Sequence, residues 1–504
     1  MAPEAPASPP PPQSWLVNSW LDRLWSSLAA QGRRFVTLPN ADLPRLERAR
    51  QLAHALLGGR GEASGAALAE ALHHAIDDLT ASERNAFLVY LSGNFGPDPA
   101  RLQEAADAYL ASPGPEAAAA LAEAATPPRQ ELLRRMNMAP GGTAALVAMR
   151  RHVLARLPED RSLQPLEADL RHLLASWFNR GFLELRRIDW RTPAFILEKI
   201  IAYEAVHEVQ GWDDLRRRLA PDRRCFGFFH PALPDEPLIF VEVALVHGLA
   251  AAIEPLLSRE GDDASFRAQE MAADTAIFYS ISNCQSGLRG ISFGNFLIKQ
   301  VVDELQAELP QLHQFSTLSP VPGFRAALEK WLAAMPAERQ PLALSGEERA
   351  HLLAAASVAQ DTQEAAPDSH AEIAALRAVL AIPFWWQQEQ PAMALKPVLL
   401  RLAALYLTGG FEAVTRADPV ARFHLGNGAR LERINWLGNL SARGISESFG
   451  IMVNYLYDPA SIEANHEAFQ RDGTVVRGAS VEALLAPVPP SPKWLARLGR
   501  SRVA

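Results

Sequence analysis

The stretch TAIFYSISNCQSGLRGISFGNFLIKQVVDELQAELPQLHQFSTLS, residues 275–319, decides the fold of this chain. Its first eight residues are rich in β-branched and aromatic side chains, which predicts a strand. Apolar residues then recur at helical spacing, so we expect a helix over 294–309. A β-rich run at 314–319 predicts a second, short strand. The order strand, loop, helix, strand is typical of a domain that mixes helices and strands.

Strand patterns also occur on both sides of this unit. They are found at 225–230, 238–246, 430–437 and 450–457. The run at 238–246 is almost continuously apolar, as expected of a strand that is covered on both faces. A helical pattern returns over 323–408. The sequence therefore predicts a mixed α/β domain over 186–478.

The first third of the chain has a different pattern. Residues 15–185 form a series of Ala-, Leu- and Glu-rich segments with Gly and Pro turn signals between them, which predicts helix after helix. We expect their apolar stripes to bury against partner subunits, and they offer no catalytic constellation. The Pro- and Ala-rich residues 1–14 predict a disordered tail, and the proline-rich segment 479–504 predicts a loosely structured one. The predicted fold class is α+β, with an all-helical N-terminal domain before the mixed α/β domain.

The composition excludes several classes of protein. The net charge is −8, whereas a nucleic-acid-binding protein usually carries a clustered surplus of basic residues. No run approaches the roughly 18 apolar residues that a membrane span needs. The two cysteines, Cys225 and Cys284, are too few for a disulfide framework or a thiolate metal site. We expect a cytoplasmic protein that binds neither nucleic acid nor membrane and holds no metal.

The loop between the first strand and the helix is a candidate anion site. It reads QSGLRGISFGN, residues 285–295. Glycines let backbone N–H groups approach a ligand closely, and a helix N-terminus attracts anions, so a pyrophosphate would suit this loop. The loop lacks the Gly-Lys-Ser/Thr of a Walker A motif and the Gly-x-Gly-x-x-Gly dinucleotide spacing. An ordinary turn that caps a helix is the alternative. Cys284, just before the loop, is either a nucleophile or a small packing residue.

Two further residues are candidates for chemistry. Ser319 ends a predicted strand, where functional side chains often project, and Pro320 fixes the chain direction after it. His424 precedes a Gly-Asn-Gly turn, and histidine is the side chain best suited to deliver a proton near neutral pH. A turn serine and a structural loop histidine are the alternatives. His230 and Glu236, in a proline-rich turn, either line a site or hold the turn.

Together these motifs resemble the malonyl-CoA decarboxylase family. The matching segments are 230–238, 278–282, 287–299, 315–324, 423–436, 443–445 and 454–455. They follow in one order and at family-like spacing over roughly residues 165–460. The helical first third matches more by character than by residue.

The resemblance implies a fold and a set of site residues. The family has a helical N-terminal domain, forms oligomers, and has a catalytic domain like that of GCN5-related N-acetyltransferases, so we expect a homo-oligomer, a dimer or tetramer. Its catalytic serine matches Ser319, its catalytic histidine matches His424, and Tyr457 matches a tyrosine near its active site. The residues that match its coenzyme A loop are Arg289, Gly290, Ile291, Ser292, Phe293, Gly294 and Asn295. Relatives carry a glutamate where this chain has Ser292, so a carboxylate cannot be essential at that position here.

The implied reaction converts malonyl-CoA into acetyl-CoA and CO2 without metal, biotin or ATP. Breaking the C–C bond leaves a thioester enolate, which preorganised donors stabilise. Ser319 would hydrogen-bond the malonyl carboxylate or the enolate and His424 would deliver the proton, so the two should lie side by side. Two alternative hypotheses remain: an N-acyltransferase that uses coenzyme A, and an acyl-CoA sensor without turnover.

Overall fold

A computed structural model of the chain describes residues 20–40, 42–58, 61–291, 297–334, 342, 344–359, 371–410 and 418–487. The predicted disordered tail, 1–14, lies outside the described residues. The same holds for part of the predicted coenzyme A loop, 292–295. The other predicted site residues, Ser319, His424 and Tyr457, are all described.

The described residues before 180 are mainly α-helical, as predicted. The helices are α1 (Trp20–Gly32), α2 (Arg45–Gly58), α3 (Glu62–Asp77), α4 (Ala81–Asn94), α5 (Pro99–Ala111), α6 (Pro115–Ala125), α7 (Pro128–Met136), α8 (Gly142–Arg156) and α9 (Gln164–Trp177). Local signals start several of them. The Thr80 hydroxyl accepts from the Glu83 N–H while the Glu83 carboxylate accepts from the Thr80 N–H, which makes a capping box before α4. Asp98 caps α5, and Pro99 occupies its first position.

Leucines form much of the core of this helical region. Leu52, Leu72, Leu91, Leu146 and Leu170 are at most 1% exposed. Full burial of each such side chain stabilises the fold by about 1.5–3 kcal/mol. In α5 and α6, which the structure describes completely, no residue is buried. That helix pair therefore contributes little to the core of a single chain.

The described residues after 183 contain an eight-stranded mixed sheet. The strands are β1 (Glu184–Ile188), β2 (Arg223–Phe229), β3 (Ile239–Val246), β4 (Thr275–Asn283), β5 (Gln314–Thr317), β6 (Ser319–Pro320), β7 (Arg430–Asn435) and β8 (Met452–Leu456). Their order is β1-β2-β3-β4-β5-β8-β6, and β7 also pairs with β8. β4 and β5 are parallel, with Thr275 opposite Gln314, whereas β5, β6 and β7 are antiparallel to β8. A mixed sheet after a helical region confirms the predicted fold class.

The remaining helices flank these strands along the chain. They are α10 (Ala194–Tyr203), α11 (Trp212–Arg218), α12 (Glu254–Leu257), α13 (Asp263–Ala272), α14 (Leu297–Glu308), α15 (Phe324–Ala334), α16 (Gly346–Ala359), α17 (Ala371–Leu380), α18 (Glu389–Leu407), α19 (Pro419–Gly426), α20 (Ala442–Ser448), α21 (Ile462–Asp472) and α22 (Ala479–Leu485). Helix α22 lies in the segment 479–504 that was predicted to be loosely structured. Val481 is fully buried and the Ser480 hydroxyl donates to the Glu432 carbonyl, so packing orders this part of the tail.

The predicted strand–loop–helix–strand unit is present, since β4 leads through the glycine-rich loop to α14 and then to β5. Its second strand is interrupted at Leu318, where a continuous strand was predicted. The Thr317 hydroxyl accepts from the Tyr455 N–H at 3.1 Å, and Nδ2 of Asn454 donates to the Thr317 carbonyl at 2.7 Å. In these bonds, side chains take the place of the regular backbone hydrogen bonds between strands. Strand β6 then begins at Ser319.

The chain forms two compact units. The first contains the described residues up to 209 with 226–240 and 282–291, and the second contains 210–225, 241–281 and the described residues from 297 onwards. The units do not coincide with the predicted domains, 15–185 and 186–478. The predicted boundary marks the start of strand patterns, whereas packing groups β1, α10 and the glycine-rich loop with the helical region.

Candidate active site

Ser319 lies at the start of β6 in the second unit, with its side chain buried. Its Oγ atom is 3.0 Å from Nε2 of His424 and donates to Oγ1 of Thr317 at 2.9 Å. Ser319 and His424 are 105 positions apart in the sequence, so only the fold brings them together. Their predicted proximity is confirmed, and their catalytic role stays a prediction.

His424 lies in the last turn of α19. The Gly-Asn-Gly turn after it had suggested a loop position instead. Asp418 starts this helix, because its Oδ1 accepts from the N–H groups of Val420 and Ala421. Pro419 occupies the first helical position, which suits its fixed φ. The Asp-Pro pair is thus a sequence signal from which the helix could have been predicted.

Tyr457 directly follows β8, and its hydroxyl is 2.8 Å from Nδ1 of His424. The imidazole also stacks on Tyr455, with 4.7 Å between the ring centroids and 23° between the planes. The sequence-based prediction named Tyr457 but missed Tyr455 and Thr317. Side chains two positions apart share a face of a strand, so the Tyr-x-Tyr spacing at the end of β8 could have revealed Tyr455.

His424 and the two tyrosines that contact it are neutral at pH 7. Burial lowers the pKa of His424 from 6.5 to about 3. Burial also raises the pKa of the Tyr457 and Tyr455 phenols well above 10. Burial therefore keeps the His424 imidazole uncharged near neutral pH. Ser319, His424 and Tyr457 form a chain of uncharged hydrogen-bonding groups through which a proton can pass.

Asp418 also ties the segment after Ser319 to the helix that carries His424. Its Oδ2 accepts from the Gly323 N–H at 3.2 Å and from the Tyr406 hydroxyl at 3.4 Å. Burial raises the pKa of the Asp418 carboxyl in spite of these bonds. A Cβ at Gly323 would lie 2.6 Å from the Tyr406 hydroxyl, so a larger residue there would displace that side chain. One carboxylate thus links the two segments of the candidate pair.

The predicted coenzyme A loop begins in the first unit with Arg289, Gly290 and Ile291. Ser292, Phe293, Gly294 and Asn295 lie outside the described residues. The Ile291 N–H donates to the Leu288 carbonyl at 3.0 Å and closes a turn. Arg289 has φ −54° and ψ 130°, and Gly290 has φ +76°. These angles define a type II turn, whose third position favours glycine.

Three other sequence candidates have structural contacts. Nδ1 of His230 accepts from the Ala232 N–H within its own turn. Glu236 pairs with Lys199 at 2.5 Å, which favours the interpretation that it holds the turn. Cys284 is buried, and burial raises the pKa of its thiol well above 9, so a packing role is favoured over a nucleophile. Within the described ranges, no group of three or more His, Cys, Asp or Glu is placed to hold a metal. Among the same residues, no helix is long and apolar enough to cross a bilayer.

Two family models match the chain. The model for the malonyl-CoA decarboxylase C-terminal domain matches residues 181–493, and the model for the N-terminal domain matches residues 95–178. Mitochondrial malonyl-CoA decarboxylase of Anser anser anser is 40% identical over 352 residues, which cover 68% of this chain and 66% of that protein. The protein of the same name from Rattus norvegicus is 37% identical over 390 residues, covering 75% of this chain and 76% of the relative.

Solved structures give a consistent result. The crystal structure of malonyl-CoA decarboxylase from Rhodopseudomonas palustris superimposes with a TM-score of 0.74 at 48% identity, covering 87% of this chain and 99% of that one. The Agrobacterium vitis enzyme superimposes with a TM-score of 0.73 at 46% identity and with the same coverage.

Proposed function

The chain belongs to the malonyl-CoA decarboxylase family, and we propose that it converts malonyl-CoA into acetyl-CoA and CO2 with Ser319 and His424 as its catalytic pair. The observation that supports this most directly is the 3.0 Å contact between Ser319 Oγ and His424 Nε2 in a buried site. A hydroxyl joined to an imidazole can bind an oxyanion and pass a proton. These are the two tasks that follow C–C cleavage in a decarboxylase.

We infer the tautomer of His424 from the groups around it. Tyr457 is 1% exposed, and a buried phenol O–H usually has an acceptor. Nδ1 of the neutral His424, 2.8 Å away, is that acceptor. The imidazole proton is then on Nε2 and is donated to Ser319, whose own O–H is donated to Thr317. The donors therefore point from Tyr457 through His424 to Ser319.

In the proposed reaction, the bond between the malonyl carboxylate carbon and Cα breaks. Its electron pair enters the thioester carbonyl, which forms an enolate as CO2 leaves. Ser319 turns its O–H from Thr317 to the enolate, and the proton moves to the enolate carbon. Nε2–H of His424 restores the serine hydroxyl, the Tyr457 phenol restores a proton to the imidazole at Nδ1, and solvent restores the phenol. The imidazole returns to its Nε2–H tautomer before the next turnover. One proton is consumed for each acetyl-CoA formed.

The neutral state of His424 suits this sequence of steps. An imidazolium beside the malonyl carboxylate would stabilise the substrate, whose charge must leave the carboxylate for the reaction to proceed. Interactions that favour the ground state do not accelerate the chemical step. Burial, which lowers the pKa of His424 to about 3, prevents that stabilisation.

We also assign the coenzyme A pyrophosphate to the loop 289–295, before α14. Arg289 and Gly290 are exposed, so a cationic side chain and a backbone N–H are available to phosphate oxygens. The thioester carbonyl is itself the electron sink, so the proposal includes no metal, biotin or ATP.

A homo-oligomer, a dimer or tetramer assembled through the helical region, is part of the proposal, as is a cytoplasmic location. The pair α5 and α6 has no buried residue, and Leu110 on α5 is 76% exposed. Such apolar side chains are often covered in an assembly. Both cysteines are buried and neither is in a disulfide, which is compatible with a reducing compartment.

The test is an incubation of the purified protein with malonyl-CoA in the presence of EDTA and avidin. We expect acetyl-CoA and CO2 in equal amounts, and a Ser319→Ala variant is the control for adventitious turnover. Coenzyme A binding without turnover would instead indicate a sensor. Product that appears only when an amine is added would indicate an acyltransferase.

A further inference from the structure

Arg150, on α8 of the helical region, reaches the glycine-rich loop. It is 1% exposed. One guanidinium nitrogen, Nη1, donates to the Gly287 carbonyl at 2.7 Å. The other, Nη2, donates to the Arg289 carbonyl at 2.9 Å and to the Glu167 carboxylate at 2.9 Å. A buried arginine from a region without candidate chemistry thus holds two carbonyls of the predicted ligand-binding loop.

The loop also rests directly on α8. A Cβ at Gly287 would lie 2.1 Å from the Val147 carbonyl oxygen, so only glycine permits this approach. Arg150 is three residues further along the same helix. Helix and loop therefore form one packed element within the first unit.

The bond to Arg289 fixes the orientation of one peptide group. In a planar trans peptide, the C=O and the following N–H point in opposite directions. Since the Arg289 carbonyl faces Arg150, the Gly290 N–H faces away from it, and Gly290 is exposed. The peptide between Arg289 and Gly290 is the central peptide of a type II turn, and a flip of this peptide gives a type I turn.

We propose that Arg150 is a positioning residue for coenzyme A binding, which holds the 289–290 peptide with its N–H toward the ligand phosphates. This inference rests on the proposed function. Without the guanidinium, the peptide is free to flip and present the Arg289 carbonyl oxygen to the phosphates. The apparent affinity for coenzyme A is the intrinsic affinity multiplied by the fraction of molecules whose peptide has the competent orientation, so it falls as that fraction falls. The helical region thereby contributes to substrate binding without touching the substrate.

The chain offers a matched control in Arg129. This arginine is also buried in the helical region, with Nε donating to Asp169 at 2.6 Å and Nη1 donating to the Ser92 carbonyl at 2.6 Å. Its contacts are with α4 and α9, away from the loop. Arg150→Lys and Arg129→Lys each keep a charge and lose a planar fork that binds a carboxylate and a carbonyl together.

The experiment compares these two variants with the full-length parent. Calorimetry with coenzyme A should show a Kd about tenfold higher for Arg150→Lys, equal to about 1.4 kcal/mol, and within about twofold of the parent for Arg129→Lys. KM for malonyl-CoA should rise in parallel with Kd, and kcat should stay within about twofold. A Kd shift no larger than that of Arg129→Lys, or a loss in kcat alone, would overturn the role of Arg150.

A second pair tests the same peptide without altering the core. Gly290 and Gly141 have φ of +76° and +67°, and an added Cβ meets nothing within 4 Å at either position. Gly290→Ala should weaken coenzyme A binding by favouring the flipped turn, whereas Gly141→Ala should not. If Gly290→Ala and Gly141→Ala bind coenzyme A with equal affinity, the inference is refuted. This comparison decides the question even if the arginine variants fail to fold. Absence of turnover in the parent would count against the proposed function, whereas parent turnover with unchanged variant affinities would count against Arg150 alone.

Discussion

Replacing Tyr457 with phenylalanine removes one hydroxyl from the buried site and tests the direction of the proposed proton path. The hydroxyl lies 2.8 Å from Nδ1 of His424. Without it, Nδ1 is a buried acceptor that has lost its donor, which costs about 1–3 kcal/mol. With Nδ1 unpaired, the imidazole has also lost the donor from which it would regain the proton that Nε2 passes to Ser319.

The loss in rate follows from this missing donor. If Tyr457 reprotonates His424 after Ser319 has protonated the enolate carbon, Tyr457→Phe should lower kcat by about 10²–10⁴-fold, which is the usual contribution of general acid catalysis. KM should change by no more than about twofold, because the substrate is still bound. Ser319 remains in place as an oxyanion donor, so activity should not vanish.

The assay is the initial rate of acetyl-CoA formation at saturating malonyl-CoA, with thermal melts to show that the variant is folded. Tyr279→Phe is the matched control, since Tyr279 is a buried tyrosine on β4 in the same unit. That control should keep its activity. A Tyr457→Phe protein with more than about a tenth of the parent kcat would refute the relay.

Four further results are expected. Ser319→Ala should lower kcat by about 10²–10³-fold and His424→Asn by about 10²–10⁴-fold, and the kcat of the double variant should be little lower than that of the poorer single variant. Additive losses would show that the two residues do not act as a unit. Asp418→Asn retains an acceptor for the helix cap but loses the acceptor for the Gly323 N–H, so kcat should fall by about 10–100-fold while the melting temperature changes little. An unchanged kcat would contradict the role of Asp418 in linking the segments of Ser319 and His424. Because burial lowers the pKa of His424 to about 3, the unfolded chain binds a proton between pH 6.5 and 3 that the folded chain excludes, so the free energy of unfolding should decrease as pH falls from about 6.5 towards 3. Urea titrations of the parent should show this decrease. An equally steep decrease in His424→Asn would exclude His424 as its source. Light scattering after size exclusion should show a dimer or tetramer, and a monomer would contradict assembly through the helical region.

Elements with strong local patterns could be predicted from the sequence. The unit from β4 to β5 was predicted because its strand pattern, glycines and helical period agree along the chain. The break at Leu318 could not be predicted, because it depends on side chains of Thr317 and Asn454 that meet only in the folded protein. Helix α19 is only eight residues long. The glycines at its end led to the prediction of a loop, although the Asp-Pro pair at its start indicates a helix.

The candidate site divides in the same way. Local sequence features made Ser319 and His424 candidates, and resemblance to a family gave them roles and added Tyr457. Their mutual contacts required the fold. The pKa of His424 depends on complete burial, which no local pattern near a glycine turn indicates. Arg150 was missed because the two loop carbonyls that it binds are more than 130 positions away, and a backbone carbonyl cannot be recognised from residue type.

The seating of the glycine-rich loop on α8 limits how this chain can recombine with its relatives. An exchange of residues 1–185 alone would replace the helix beneath the loop and leave the loop itself unchanged. The hybrid would keep the fit only if the incoming helix had an arginine in place of Arg150 and left room for Gly287 against the backbone at Val147. Selection on the ligand loop therefore reaches into the helical region, and the two segments should be inherited as a pair.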